Sequence, residues 1–136
     1  MDTQEIDEYL KIADKFQGTM KRMANSIELM LDVILKRNRI NTKPKEPLGS
    51  KIIKFQDSKA ILVGKYAGDF DKLVDKLMRF NTNWIIAKHG MTVLGQQDLT
   101  YSSGGRNHKF DPKRREEIYQ EFTETQMALI EISKAE

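Results

Sequence analysis

The chain has 136 residues, 39% of them hydrophobic and 32% charged, with a formal net charge of +3 and no cysteine. That length implies one domain with a modest core, and no apolar run approaches the roughly 20 residues that cross a bilayer, so no membrane role is expected. The absence of cysteine excludes disulfides, thiolate metal sites and a cysteine nucleophile and fits a cytoplasmic setting, while two histidines are too few for a histidine-rich metal centre.

In the first stretch Ile6, Ala13, Met20, Ile27 and Ile34 recur every seven residues, with Tyr9, Phe16, Met23 and Met30 each three residues later. Alternating three and four places all of them on one stripe and predicts a single helix over 2–38, about 50 Å long. Leu10, Ala24 and Leu31 widen the stripe on one side, Ile12 and Val33 on the other, so more than one helix should pack on it. The repeat resembles a coiled-coil seam. Methionine-rich seams adapt to different partners, which makes Phe16, Met20, Met23, Ile27 and Met30 a candidate interface for a partner helix or for self-association. Gly18 costs up to about 1 kcal/mol in mid-helix and would allow a neighbour to approach closely.

Asn38, Asn41, Pro44, Pro47 and Gly49 then form a breaker-rich linker over 39–50. Residues 51–67 read as a small hairpin, Lys-Ile-Ile-Lys-Phe and Ala-Ile-Leu-Val around Gln56-Asp57-Ser58; the competing reading is a short buried helix capped by Ser58. A second long helix spans 69–89, with Asp69 as N-cap, Phe70, Leu73, Val74, Leu77 and Trp84 in helical period, and Gly90 as the stop. Met91 to Leu94 and Leu99 to Tyr101 are short strand candidates around Gly95-Gln96-Gln97. Tyr101 to Phe110 reads as a mobile basic loop containing Ser102, Ser103, Gly104 and Gly105. Asp111-Pro112 opens the last helix, over 111–135, where Ile118, Phe122, Thr125, Leu129 and Ile132 supply a shorter stripe to pair with the first.

The expected fold is therefore mainly α (α-rich α+β), the long first helix paired antiparallel with the last, a middle helix and one or two hairpins beside them. Charge is concentrated in two segments: Lys36 to Lys54 carries a net +6 and Arg106 to Arg115 a net +4, leaving −7 on the remainder. Antiparallel packing would bring both to one end, where an anion would relieve their repulsion. Nucleic acid, DNA or RNA, is the expected partner, held through phosphates by Lys36, Arg37, Arg39, Lys43 and Lys45 from one segment. The other segment offers Arg106, Asn107, Lys109, Lys113, Arg114 and Arg115, with Tyr101 and Phe110 flanking the loop as stacking candidates.

There is no phosphate-binding glycine loop, no paired-glycine fingerprint, no His-Glu-x-x-His and no nucleophile elbow. No catalytic residue, metal or cofactor is expected. The sequence reads as a non-enzymatic nucleic-acid-binding accessory protein or a small helical subunit of a nucleoprotein assembly. The alternative is a protein-protein interaction module using the seam. A small nuclease with His89 and His108 as acid and base is a third reading.

Overall fold

The computed structural model describes residues 1–135. The heptad stripe forms one unbroken helix, α1, over Thr3–Arg37, started by the Asp2 carboxylate accepting from the Glu5 N–H at 2.8 Å. It passes through Gly18 without interruption, and a Cβ there would meet only its own Arg22, so the glycine marks no close approach. After Asn38 the Ile40 N–H bonds the Leu35 carbonyl and the Arg39 N–H bonds that of Lys36, a Schellman ending with Arg39 at φ +60.

The segment expected to be a hairpin at 51–67 is helical: α2 over Leu48–Asp57, α3 over Lys59–Leu62 and a 3₁₀ turn over Val63–Lys65. Leu48, Lys51, Ile52 and Phe55 are the buried positions of α2, a period of three and four that the alternation of lysine with isoleucine conceals. The competing helical reading prevails, although Ser58 serves it differently, its hydroxyl donating to the Lys54 carbonyl at 2.7 Å to close α2. The linker correspondingly ends at Pro47.

The middle helix, α4, covers Phe70–His89 with Asp69 as its N-cap. Two strands follow as expected, β1 over Met91–Thr92 and β2 over Thr100–Ser103, antiparallel to each other. The supposed mobile loop is instead the turn and third strand of this sheet. Here β3, Arg106–Lys109, pairs with β2 across Gly104 and Gly105, whose φ values of +62 and +75 suit a two-residue hairpin turn. Tyr101 and Phe110 are fully buried and form an aromatic cluster with Phe16, so neither is available to stack on a base. The last helix, α5, covers Pro112–Lys134 with Asp111 as N-cap.

Helix α1 packs against α2, α4 and α5. The pairing of first and last helices holds, but their direction is parallel. Phe16 meets Phe110 with ring centroids 5.1 Å apart, Ser26 meets Gln126, and the Arg37 guanidinium donates to the Ser133 carbonyl. Helix α4 runs against both: Gln17 donates to the Ala87 carbonyl, and Lys76, Arg79 and Asn83 meet Glu124, Glu121 and Arg114 in descending order. The long helices therefore run up, down and up, with α2 against one face and the sheet closing the lower end.

The sheet is pinned to α1 by the Tyr9 hydroxyl, which donates to the Val93 carbonyl at 2.7 Å and accepts from the Thr100 N–H at 2.9 Å. The neighbouring Tyr101 hydroxyl is buried with no partner, and burial is the main cause that pushes its pKa up to about 12, with Tyr9 and Asp14 adding to it. Replacing Tyr9 with Phe strands a buried donor and acceptor and should destabilise the protein by about 1–3 kcal/mol in chemical denaturation. Tyr101→Phe should leave stability unchanged or raise it. Because the fold favours the neutral phenol, its contribution is complete below the unfolded pKa near 10 and disappears as pH rises toward about 12. The same substitution should therefore reduce the alkaline loss of stability.

Candidate nucleic-acid interface

Parallel packing separates the two basic segments. Counting along the helices from the Ser26–Gln126 contact, Lys36 and Lys113 lie about 35 Å apart along the bundle axis. The expected single positive end does not exist, because the basic end of α1 meets the end of α5 while the basic start of α5 sits at the sheet.

Several of the expected phosphate-binding side chains hold the fold together. Arg114 donates to the Lys109 carbonyl at 2.8 Å and to Asn83 Oδ1 at 2.9 Å, and its guanidinium lies 4.1 Å from the Phe110 ring centroid. Burial lowers its pKa, with Asp111 and Glu117 opposing the shift. Arg115 donates to the Phe110 carbonyl at 3.2 Å. These two arginines dock the sheet to α5, which explains why they stand at a helix start against the macrodipole. Arg37 is held by Ser133, and Lys109 lies 4.0 Å from Asp111.

Arg106 and Asn107 are exposed at the hairpin tip and Lys113 is exposed on α5. Lys36 and Arg39 at the other end, and Lys43 and Lys45 in the linker, are exposed and, among the described residues, form no ion pair. Lys51 and Lys54 are held instead, Lys51 by Asp32 at 3.1 Å and Lys54 by Glu46 at 2.6 Å. The proposed seam is also occupied: Phe16, Met20, Met23 and Ile27 are buried against the chain's own helices and Met30 is half-buried, so none offers a free surface to a partner. The large apolar side chains left exposed are others, Leu10, Ile12, Leu29 and Val33 on α1 and Met127 and Ile130 on α5. His89 ends α4, whereas His108 lies on β3 with Nε2 at 3.2 Å from the Ser103 carbonyl; β2 stands between that strand and the one following His89.

What the fold assembles instead is a groove of about 860 Å³ between α1, the start of α2 and the last turns of α4. Lys21 and Asn25 come from α1, Lys45 and Glu46 from the linker, and Asn81, Trp84, Ile85, Lys88 and His89 from α4. Trp84 is half-buried, and the Lys88 ammonium lies 5.7 Å from its ring centroid. Lys21, Lys45 and Lys88 form no ion pair among the described residues. Lys45 is held in the left-handed region at φ +61, a conformation costing a non-glycine residue about 1–2 kcal/mol. The first turn of α2 opens here, its N-cap Pro47 contributing no side-chain cap. A Cβ at Gly49 would lie 3.1 Å from Asn81 Nδ2, so the glycine leaves room for that amide.

Of the expected phosphate-binding residues, only Lys45 lies in this groove, together with His89 from the nuclease reading. In the sequence Trp84 reads as one position of the apolar period of its helix, and nothing singles out Lys88. The one local signal for them is their spacing of four, which places a cation beside an aromatic ring on one helix face. No protein-family model, curated protein or solved structure matches the chain. Among the described residues, no helix is long and apolar enough to cross a membrane.

The division between structural and free cations is testable by chemical denaturation. Arg114→Ala should cost about 1–3 kcal/mol, because it removes two hydrogen bonds and the stem packed on Phe110. Lys113→Ala, one residue away and exposed, should stay within about 0.5 kcal/mol of the parent.

Proposed function

We propose that this chain is a non-enzymatic nucleic-acid-binding accessory protein whose contact surface is the groove between α1, α2 and α4. The observation that carries this reading is the convergence of three separate chain segments on one concave, cationic, aromatic-floored site. Among the described residues Lys21, Lys45 and Lys88 have no carboxylate partner, and the start of α2, which has no side-chain cap, adds the positive end of a helix dipole. Lysine ammoniums are strongly hydrated point charges that suit sequence-independent contact with phosphates. Lys43, in the same linker as Lys45, extends the positive surface beyond the groove.

The acids lining the groove do not cancel this charge, because both already have partners: Glu28 lies 3.9 Å from Lys51 and Glu46 lies 2.6 Å from Lys54. Arg106, Asn107 and Lys113 are not among the residues that line the groove, though a longer strand could reach both regions. A small subunit of a nucleoprotein assembly needs no more than such a surface.

Fluorescence-anisotropy titration of a labelled oligonucleotide at two salt concentrations tests the proposal. Binding should weaken steeply with salt, and Lys45→Glu combined with Lys88→Glu should reduce affinity by more than about tenfold and flatten the salt slope. Arg106→Glu should have the smaller effect on a short oligonucleotide. Unchanged affinity in the double variant would move the contact surface elsewhere.

A further inference from the structure

We infer that the groove takes an unpaired nucleotide, with its base stacked on Trp84, and that the protein consequently prefers single strands to duplex. This deepens the proposed function and rests on it. Three features of the groove point the same way.

Trp84 is a large ring left half-exposed on the wall of a concave site rather than buried in the helix bundle. The ammonium of Lys88, a flexible side chain four residues along the same helix, lies over the ring at 5.7 Å from its centroid. A base arriving at the ring displaces the ammonium, which then swings toward the phosphate that accompanies the base. One movement thus exchanges a cation–aromatic contact for a stacking contact and a phosphate contact.

The second feature is Glu46. Glu46 lines the groove and its side chain is 8% exposed; one carboxylate oxygen is held by Lys54 at 2.6 Å, while Oε2 is buried and has no hydrogen-bond partner among the described residues. A buried acceptor without a donor costs about 1–3 kcal/mol. Every nucleobase carries an N–H donor on its pairing edge that supplies what Oε2 lacks once the carboxylate turns to present that oxygen to the groove. In a duplex that donor is already consumed and the ring faces are covered by neighbouring pairs, so both contacts require an unpaired base.

The third feature is placement. Lys21 on α1 and Lys45 in the linker flank the groove from the elements facing α4, so a backbone threaded past Trp84 has cations on either side. Asn25 and Asn81 line the same groove with amide groups, which donate and accept and so tolerate any base edge.

Trp84 is the only tryptophan in the chain, so its fluorescence reports on this site alone. The test is titration of the intact protein at low salt with a mixed-sequence 12-nucleotide single strand, as DNA and as RNA, and with the corresponding duplex, following Trp84 emission and the anisotropy of an end label together. Quenching of Trp84 by the single strands, with affinity about tenfold or more above that for the duplex, is expected. Trp84→Leu should lose about tenfold for single strands while its salt slope stays that of the parent, because phosphate contacts remain; circular dichroism checks that it folds. Binding of single strands without a change in Trp84 emission, or equal affinity for duplex, overturns the inference and leaves the proposed function standing. Absence of binding by every form overturns both.

Discussion

The apolar stripe of α1 is the constraint on which the rest of the fold depends. It runs from Tyr9 to Leu35 and must be covered along its whole length. Neither α4, with 20 residues, nor α5, with 23, spans the 35 residues of α1 alone, so the stripe is covered in sections. The Phe16 level meets Tyr101 and Phe110 from the sheet end, α4 and α5 cover the middle, and α2 closes against the upper part through Leu48, Ile52 and Phe55. Each large side chain buried in this way contributes about 1.5–3 kcal/mol, far more than any surface ion pair in the molecule. The stripe is wider than a coiled-coil seam because three elements pack on it, although its seven-residue repeat resembles one.

The same constraint sets the charge distribution. Once α2 and the turn after it are folded back against α1, only α4 and α5 remain to traverse the bundle, and two traverses leave the last helix parallel to the first. The basic segments then fall at opposite ends, and several of their cations become hydrogen-bond donors to carbonyls at the element junctions: Arg37 to Ser133, Arg114 to Lys109, Arg115 to Phe110 and Lys54 to Asn41. The short α2 leaves the lower part of the α1–α4 face uncovered. That uncovered face is the groove, and its wall includes Trp84, which among the large aromatics of α4 is half-buried where Phe70 and Phe80 are buried.

Much of this was legible in the residues. The caps Asp2, Asp69 and Asp111, the stop at Gly90 and the three long helices follow from local chemistry, because each signal lies within a few residues of the boundary it sets. Elements whose signal depends on tertiary burial are not legible from local sequence. Lys51 sits on the buried face of α2 because Asp32 and Glu28 on α1 receive its ammonium, and a lysine in that position makes a helical face look like an alternating strand. Gly104-Gly105 is a strong turn signal, but flanking Ser, Arg, Asn and His supply none of the apolar alternation that usually marks strands. The groove was invisible for a different reason: its members come from three segments, and only the fold makes them neighbours.

The parallel arrangement of α1 and α5 decides between one concentrated basic end and the separated cations and lateral groove described above. With no cysteine in the chain, spin labels can be placed singly at Lys36→Cys and Lys113→Cys, both at exposed positions, and their separation measured by pulsed electron resonance. The parallel bundle predicts a distribution centred at about 35 Å, the axial rise between the two positions. An antiparallel pair would bring the labels to adjacent helix ends, within about 20 Å given a 10 Å interaxial distance and the label arms. A short distance would contradict both the fold described here and the site built on it.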